Sequence, residues 1–147
     1  MMATAEAKPP QISPEEYREF LQGLELKQVY LSAAKIKRSR TPDFEAPLRY
    51  GHGFGKSKYG QLEDGFSASF TFHAVLLEED IEQPFGEIDV TFTAEYSSER
   101  KMTKKIFEVF EELNLPLNLY PYVREYVHAA TSRMGMPSLI LPTFKSG

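Results

Sequence analysis

Two stretches of the chain alternate cleanly between apolar and polar residues. From Phe66 to Leu77, Phe66, Ala68, Phe70, Phe72, Ala74 and Leu76 share one parity, and Ser67, Ser69, Thr71 and His73 the other. From Phe85 to Tyr96, Ile88, Val90, Phe92, Ala94 and Tyr96 alternate with Glu87, Asp89, Thr91, Thr93 and Glu95. A period of two predicts strands, and the polar second face predicts an antiparallel sheet with one wet side. Glu78 to Pro84 reads as the turn between them. Leu26 to Lys37 predicts a further strand, but its apolar residues fall on both parities: Leu26, Tyr30, Ala34 and Ile36 on one, Val29, Leu31 and Ala33 on the other. Either both faces are partly covered or a bulge shifts the register midway. Leu48 to Lys58 predicts a fourth strand, odd for its glycines Gly51, Gly53 and Gly55.

The helical signals lie at the two ends. Ser13 as N-cap, Pro14 at the first helical position and Glu16 three residues after the cap predict a short helix over residues 14–22. Tyr17, Phe20, Leu21 and Leu24 lie on its one apolar stripe, and Gly23 stops it. After the strands the period lengthens to that of a helix. Thr103 to Leu113 predicts a first long helix with Met102, Ile106, Val109, Phe110 and Leu113 on the core stripe. Phe107 lies off that stripe and predicts a second buried face. Pro116 ends the segment, and a second long helix is predicted from near Asn118 to just before Gly135. Its apolar face is Leu119, Tyr122, Val123, Tyr126, Val127 and Ala130, with Pro121 tolerated in the first turn.

With 147 residues, 41% of them hydrophobic, the chain is long enough for one core and too short for two ordinary ones. The expectation is a flexible N-terminus over residues 1–12 and a single domain over residues 13–147. There is no cysteine, which excludes disulfides, thiol nucleophiles and Cys-ligated metals. No apolar run is long enough for a transmembrane helix, so membrane insertion is not expected and the cytosol is the expected compartment. The formal net charge of −4 is unevenly spread: residues 59–99 carry ten carboxylates and no lysine or arginine. Such a field repels nucleic acid. The basic segment Lys35, Lys37, Arg38 and Arg40 lacks any nucleic-acid motif beside it and reads as a solvated strand end.

The search for catalytic chemistry is negative. Gly55-Lys56-Ser57 looks like the end of a phosphate-binding loop, but the pattern needs glycine where Tyr50 stands, and no helix is predicted to start at Ser57. Alternate glycines are better read as a bare strand face that another backbone or a large side chain approaches. His52, His73 and His128 lie on three different elements without metal-ligand spacing, and each reads as a surface or packing histidine. Neither an enzyme nor a bound cofactor or metal is expected.

What stands out is apolar surface beyond the needs of one small core. The chain holds 11 Phe and 8 Tyr, and the stretch after the last helix carries Met134, Met136, Leu139, Ile140, Leu141 and Phe144. Methionines adapt to irregular partners. Either this stretch covers the sheet or the helices, or it contributes to a surface that binds irregular partners. The residues put forward for that surface are Tyr50, Phe54, Tyr59, Tyr120, Tyr126, Met134, Met136, Leu139, Leu141 and Phe144.

Leu119-Tyr120-Pro121-Tyr122-Val123-Arg124-Glu125, then Ser132-Arg133-Met134-Gly135-Met136-Pro137, then Leu139 and Leu141-Pro142, resembles the signature helix of SecB-type chaperones in residue type and spacing. Val29-Tyr30-Leu31 is similar to that family's first-strand segment, and Phe44-Glu45-Ala46-Pro47 to a family tetrapeptide. The resemblance covers roughly residues 25–142, with Tyr120, Pro121, Tyr122, Arg124, Glu125, Ser132, Arg133, Gly135 and Pro137 as its motif positions. It implies an α+β fold: a four-stranded antiparallel sheet with two long helices on one face, to which this chain adds its short N-terminal helix. It implies a homo-oligomer, a dimer of dimers in which the first long helix packs between dimers through Ile106, Phe107, Val109 and Phe110. It further implies an ATP-independent holdase with unfolded client polypeptides as partners. Export members pass clients to the Sec motor ATPase, and other relatives guard an antitoxin. Export chaperones continue into another helix and an acidic tail beyond the point matching Gly147, so the resemblance does not carry the motor contact over. A different class of function, a small ligand held in the Gly51–Gly55 trough, predicts a closed pocket near Phe54 with a titratable group inside.

Overall fold

The computed structural model describes residues 12–143. Phe144 and all but Ile12 of the expected flexible N-terminus lie outside the described residues; Ile12 itself is buried. Helix α1 (Pro14–Leu21) begins where the cap predicts, with Ser13 Oγ accepting from the Glu16 N–H at 3.1 Å. It ends before Gly23, whose φ of +77° is left-handed backbone that glycine adopts freely.

Five strands follow: β1 (Glu25–Arg38), β2 (Leu48–Phe54), β3 (Lys58–Leu62), β4 (Gly65–Glu78) and β5 (Gly86–Ser97). All pairings are antiparallel, in the order β1-β5-β4-β2, with β3 also on β4. The four-strand expectation is corrected here: the single strand predicted over Leu48–Lys58 is divided. β2 pairs with the second half of β4 and β3 with the first half. Between Phe54↔Phe72 and Lys58↔Ser69, residues 55–57 span only two positions of β4. That extra residue flips the parity. Even residues of β2 face the helix, whereas on β3 the inward residue is Tyr59, opposite Ala68.

β1 takes the bulged alternative, twice. Register shifts at Lys27 and Ser32 turn Leu26, then Val29 and Leu31, then Ala34 and Ile36 onto one face, opposite Tyr96, Ala94, Phe92, Val90 and Ile88. The mixed parity in the sequence is therefore one apolar face read across two bulges.

The expectation of two long helices is corrected as well. A single helix, α2 (Lys104–Arg133), runs through Pro116 and Pro121. Each proline lacks the N–H that would bond the carbonyl four residues back, a cost of about 3 kcal/mol in an isolated helix. Here Leu115, Pro116, Leu119 and Tyr120 are all buried, so packing of the turns on both sides holds the helix together. Thr103 caps its start by accepting from the Ile106 N–H at 3.2 Å. Gly135, at φ +74°, turns the chain back after its end.

The core lies between α2, α1 and the inner faces of β4 and β5. Phe66 stacks on Tyr96 at 4.9 Å between centroids, Phe110 meets both edge-on, and Phe20 of α1 closes the cluster. The Tyr96 hydroxyl accepts from Asn118 Nδ2 at 2.7 Å, and burial pushes that phenol up to about 12.

Candidate functional site

The antiparallel ladder decides what β2 presents to solvent. Pro47 O accepts from the Glu79 N–H at 3.1 Å, and the Gly55 N–H donates to Thr71 O at 3.0 Å. Opposed residues in such a ladder alternate between exchanging both bonds and exchanging none. Odd residues of β2 therefore bond to β4, and the N–H and C=O of Tyr50, His52 and Phe54 point away from it. Among the described residues no strand pairs with that edge.

The side chains of the same three residues face inward, on the side of the sheet where α2 lies. His52 lies 5.6 Å from Tyr50, 6.1 Å from Phe54 and stacked at 5.9 Å on Phe72, ring centroid to ring centroid. Phe54 in turn meets Phe70, Phe72 and, from the helix, Tyr120. Burial first, then the nearby Tyr50, hold the Tyr120 phenol above its ordinary value. Phe54 is 47% exposed and His52 is exposed, so the group forms an open aromatic shelf at the sheet edge. Tyr50, Phe54 and Tyr120, proposed separately from the sequence, are thus brought together. His52, read as a surface or packing histidine, belongs with them. The signal was present in its parity with Tyr50 and Phe54.

The other sequence-predicted residues are distributed elsewhere. Tyr59 lies against Phe107 at 4.7 Å, which supplies the second buried face expected for Phe107. Tyr126 and Tyr122 flank Phe92 on the β1 side of α2. Met134 and Leu141 are buried, Met136 and Leu139 are half-buried, and Phe144 lies outside the described residues. After Gly135 the chain returns along α2, held by Leu139 N–H to Thr131 Oγ1 at 2.8 Å and Arg124 Nε–H to Leu141 O at 3.0 Å. The stretch thus covers its own fold: Leu139 and Leu141 are tied to α2, and the Met134 side chain lies at the sheet beside Gly86. Ile106, Phe107 and Phe110 are turned into the chain's own core, and Val109 is half-buried beside α1. Of the motif positions, Pro121, Tyr122, Glu125, Ser132, Arg133 and Pro137 are exposed, and Arg124 is half-buried.

A second apolar surface lies on the inner side of β1. The helix covers β4 and β5, and Leu26, Leu31 and Ile36 of β1 remain 40–46% exposed, as does Tyr122 of α2 at 44%.

The face of the sheet turned away from the helix is polar. Thr71 and Thr91 share a hydrogen bond at 2.8 Å, and His73 Nδ1 bonds Asp89 Oδ1. Gly51 and Gly53 lie opposite Val75 and His73 on this side. They leave an open trough of about 470 Å³ that also borders Glu87 and Asp89. Among the described residues no closed pocket surrounds Phe54: its ring is on the other face and half in water, which corrects the expectation attached to the small-ligand reading. Among the described residues no three His, Asp or Glu side chains are grouped to hold a metal ion, and no helix is long and apolar enough to cross a membrane.

The segment over residues 39–47, which joins the two opposite edges of the sheet, is clamped from below. Arg40 pairs with buried Glu78, whose other oxygen accepts from the Asp43 N–H at 3.1 Å.

No protein-family model matches the chain, and no curated protein matches it by sequence. Solved structures do match. One is a protein of unknown function from Streptococcus agalactiae, 13% identical over 82% of this chain and 97% of that one, with a TM-score of 0.44. Another is the Mycobacterium tuberculosis Rv1957 SecB-like chaperone in complex with a ChAD peptide from the Rv1956 HigA1 antitoxin. It is 21% identical, covers 84% of this chain and 92% of its own, and superposes with a TM-score of 0.76. The chain described here has the fold of that SecB-like chaperone, in agreement with the family resemblance carried by its α2 sequence.

Proposed function

We propose that this chain is an ATP-independent holdase that keeps client polypeptides unfolded by binding extended apolar segments. The observation that carries the reading is the solvent-open shelf of Tyr50, His52 and Phe54 beside Tyr120. The fold shared with a SecB-like chaperone supports it. Aromatic area removed from water contributes about 25 cal/mol per Å². Ordering an extended chain offsets much of that, so one shelf binds weakly. Several shelves on one assembly act together through effective concentration.

Such an assembly is part of the proposal. A second copy would cover the inner face of β1, where Leu26, Leu31 and Ile36 meet solvent. Leu31→Lys would then halve the native mass measured by light scattering, and an unchanged mass would remove that face from the interface. The carboxylates of residues 59–99 are read as keeping an otherwise sticky surface soluble.

The direct test is aggregation of a reduced, unfolded protein without ATP. Equimolar oligomer is expected to suppress it, and no suppression would sink the holdase reading. A second reading is favoured by one observation: the SecB-like chaperone of the same fold is in complex with a peptide from an antitoxin. On that reading this chain serves a single dedicated client. Tight binding of one segment among many unrelated unfolded chains would favour it, and equal affinity for all would favour the general holdase.

A further inference from the structure

Helix α1 is seated by side chains alone. Among the described residues no backbone hydrogen bond joins it to α2 or to the sheet. Phe20 lies 6.0 Å from Phe66 and 6.4 Å from Phe110, ring centroid to ring centroid. The Tyr17 hydroxyl donates to Asn114 Oδ1, and Glu19 pairs with Arg100 at 3.3 Å between exposed side chains. Tyr17, Phe20 and Leu21 follow the i, i+3, i+4 spacing of an amphipathic helix laid in a groove. The fit is incomplete. An apolar cleft of about 310 Å³ remains between α1 and α2, lined by Ile12, Tyr17, Leu21, Val109 and Leu113, and Leu113 is 45% exposed. Gln22-Gly23-Leu24 connects α1 to β1, with Gly23 in left-handed backbone. The β1–β5 ladder begins at Glu25 and uses nothing of α1.

Resting on the holdase reading, we propose that α1 is the internal occupant of a second binding groove, and that it swings out about Gly23 to admit an amphipathic helical segment of a client. The floor it uncovers is Phe66 and Phe110, backed by Tyr96, with Val109 and Leu113 along the α2 side. Phe66 and Phe110 are dry while α1 is in place, so this groove is closed at rest where the Phe54 shelf is open. The seated helix defines the partner it fits: rings at i and i+3, an aliphatic side chain at i+4, and charges on the other face, as Glu15, Arg18 and Glu19 are on α1. Asn114 Oδ1 is an acceptor at the first ring, which favours Tyr over Phe there. An eight-residue helix is marginal in water, so α1 loses its helix when it leaves, and opening is read in its amides. Client and α1 compete for one floor. The fraction of chains with α1 out therefore scales client affinity, and whatever loosens α1 raises both by the same factor.

The test uses the full chain and a fluorescent peptide with the sequence of residues 13–23, stapled as a helix across the exposed positions of Glu15 and Glu19. Stapling removes the ordering cost that a free peptide of this length would carry. In the chain, Tyr17→Phe keeps the ring, removes the bond to Asn114 and leaves the floor untouched. It is expected to speed amide exchange of residues 17–22 and to tighten peptide binding by one common factor, about three- to tenfold for a lost hydrogen bond. Faster exchange without tighter binding overturns the proposal. A second measurement holds α1 shut. The chain has no cysteine, and Leu21 and Val109 line the same cleft, so Leu21→Cys with Val109→Cys can be bridged by a short bismaleimide. The bridged chain is expected to bind the peptide at least about tenfold more weakly than the same double variant before bridging. Equal affinities overturn the proposal. Exchange of α1 that varies with protein concentration, together with a larger native mass, would give the groove to α1 of a second copy and overturns the client assignment. In each case suppression of aggregation by the wild-type chain leaves the holdase reading standing. No suppression together with no peptide binding removes both.

Discussion

Phe54 on β2 and Tyr120 on α2 meet with ring centroids 6.2 Å apart and planes tilted by 60°. Tyr120 is 5% exposed and Phe54 is 47% exposed, so the pair runs from core to water across the seam between sheet and helix. The buried partner positions the exposed one, and the exposed one presents apolar area that the fold itself does not consume.

Phe54→Ala should therefore separate binding from stability. About half of the ring is already solvated, so truncation is expected to cost about 1 kcal/mol in a urea melt, well below a fully buried Phe. Client affinity, read by anisotropy, is expected to fall about tenfold, as for a ring at the centre of a contact. A large loss of stability with unchanged affinity would place the client elsewhere.

Much of this arrangement was legible in the residues. The alternation of Phe66–Leu77 and Phe85–Tyr96 named the inner and outer faces of β4 and β5 residue by residue, because each strand has one dry and one wet face. β1 resisted, since its two bulges scramble parity and only pairing with β5 restores it. Pro116 read as a helix stop because local sequence prices the missing N–H but not the burial of Leu115 and Leu119 that outweighs it. Of the proposed surface, Tyr50, Phe54 and Tyr120 converged. Met134 and Leu141 did not, since an apolar side chain after the last helix reads the same whether it binds a partner or covers its own fold.

Protonation of Glu78 should loosen the segment over residues 39–47. The Arg40 guanidinium, then the Asp43 N–H, hold the Glu78 carboxyl below its ordinary value of 4.5. A carboxyl depressed in the folded state adds stability above its unfolded value, and that stability is lost as pH falls through the folded one. Glu78→Gln is therefore expected to lower Tm above about pH 5, with the gap to wild type narrowing as the pH is taken below about 4. A gap that is constant across this range would detach the clamp from the charge of Glu78.

Two glycines should respond in opposite ways to one methyl group. A Cβ at Gly65 would stand 1.9 Å from the Tyr96 carbonyl oxygen, backbone that cannot move without disturbing the β4–β5 ladder. A Cβ at Gly53 meets nothing within 4 Å. Gly65→Ala is expected to cost about 2 kcal/mol or more, and Gly53→Ala to stay within about 0.5 kcal/mol of wild type, both by urea unfolding. Similar costs at both positions would contradict the geometry of the trough.

Pro121 is the sharpest test of what α2 is shaped for. It is exposed inside a continuous helix, and its nitrogen cannot donate to the Leu117 carbonyl. Alanine would restore that donor with no buried ring to lose, so Pro121→Ala is expected to raise stability by about 1–3 kcal/mol. Pro116→Ala gains a donor too, but forfeits a buried ring and should gain less. Pro121 follows Tyr120 directly, so any straightening of the helix moves that ring relative to Phe54. Thermal melts and peptide anisotropy on the same variant separate the two effects. A higher Tm with weaker peptide binding would show that the proline holds Tyr120 in register with the shelf at the expense of helix stability. A higher Tm with unchanged binding would show that the shelf does not depend on it.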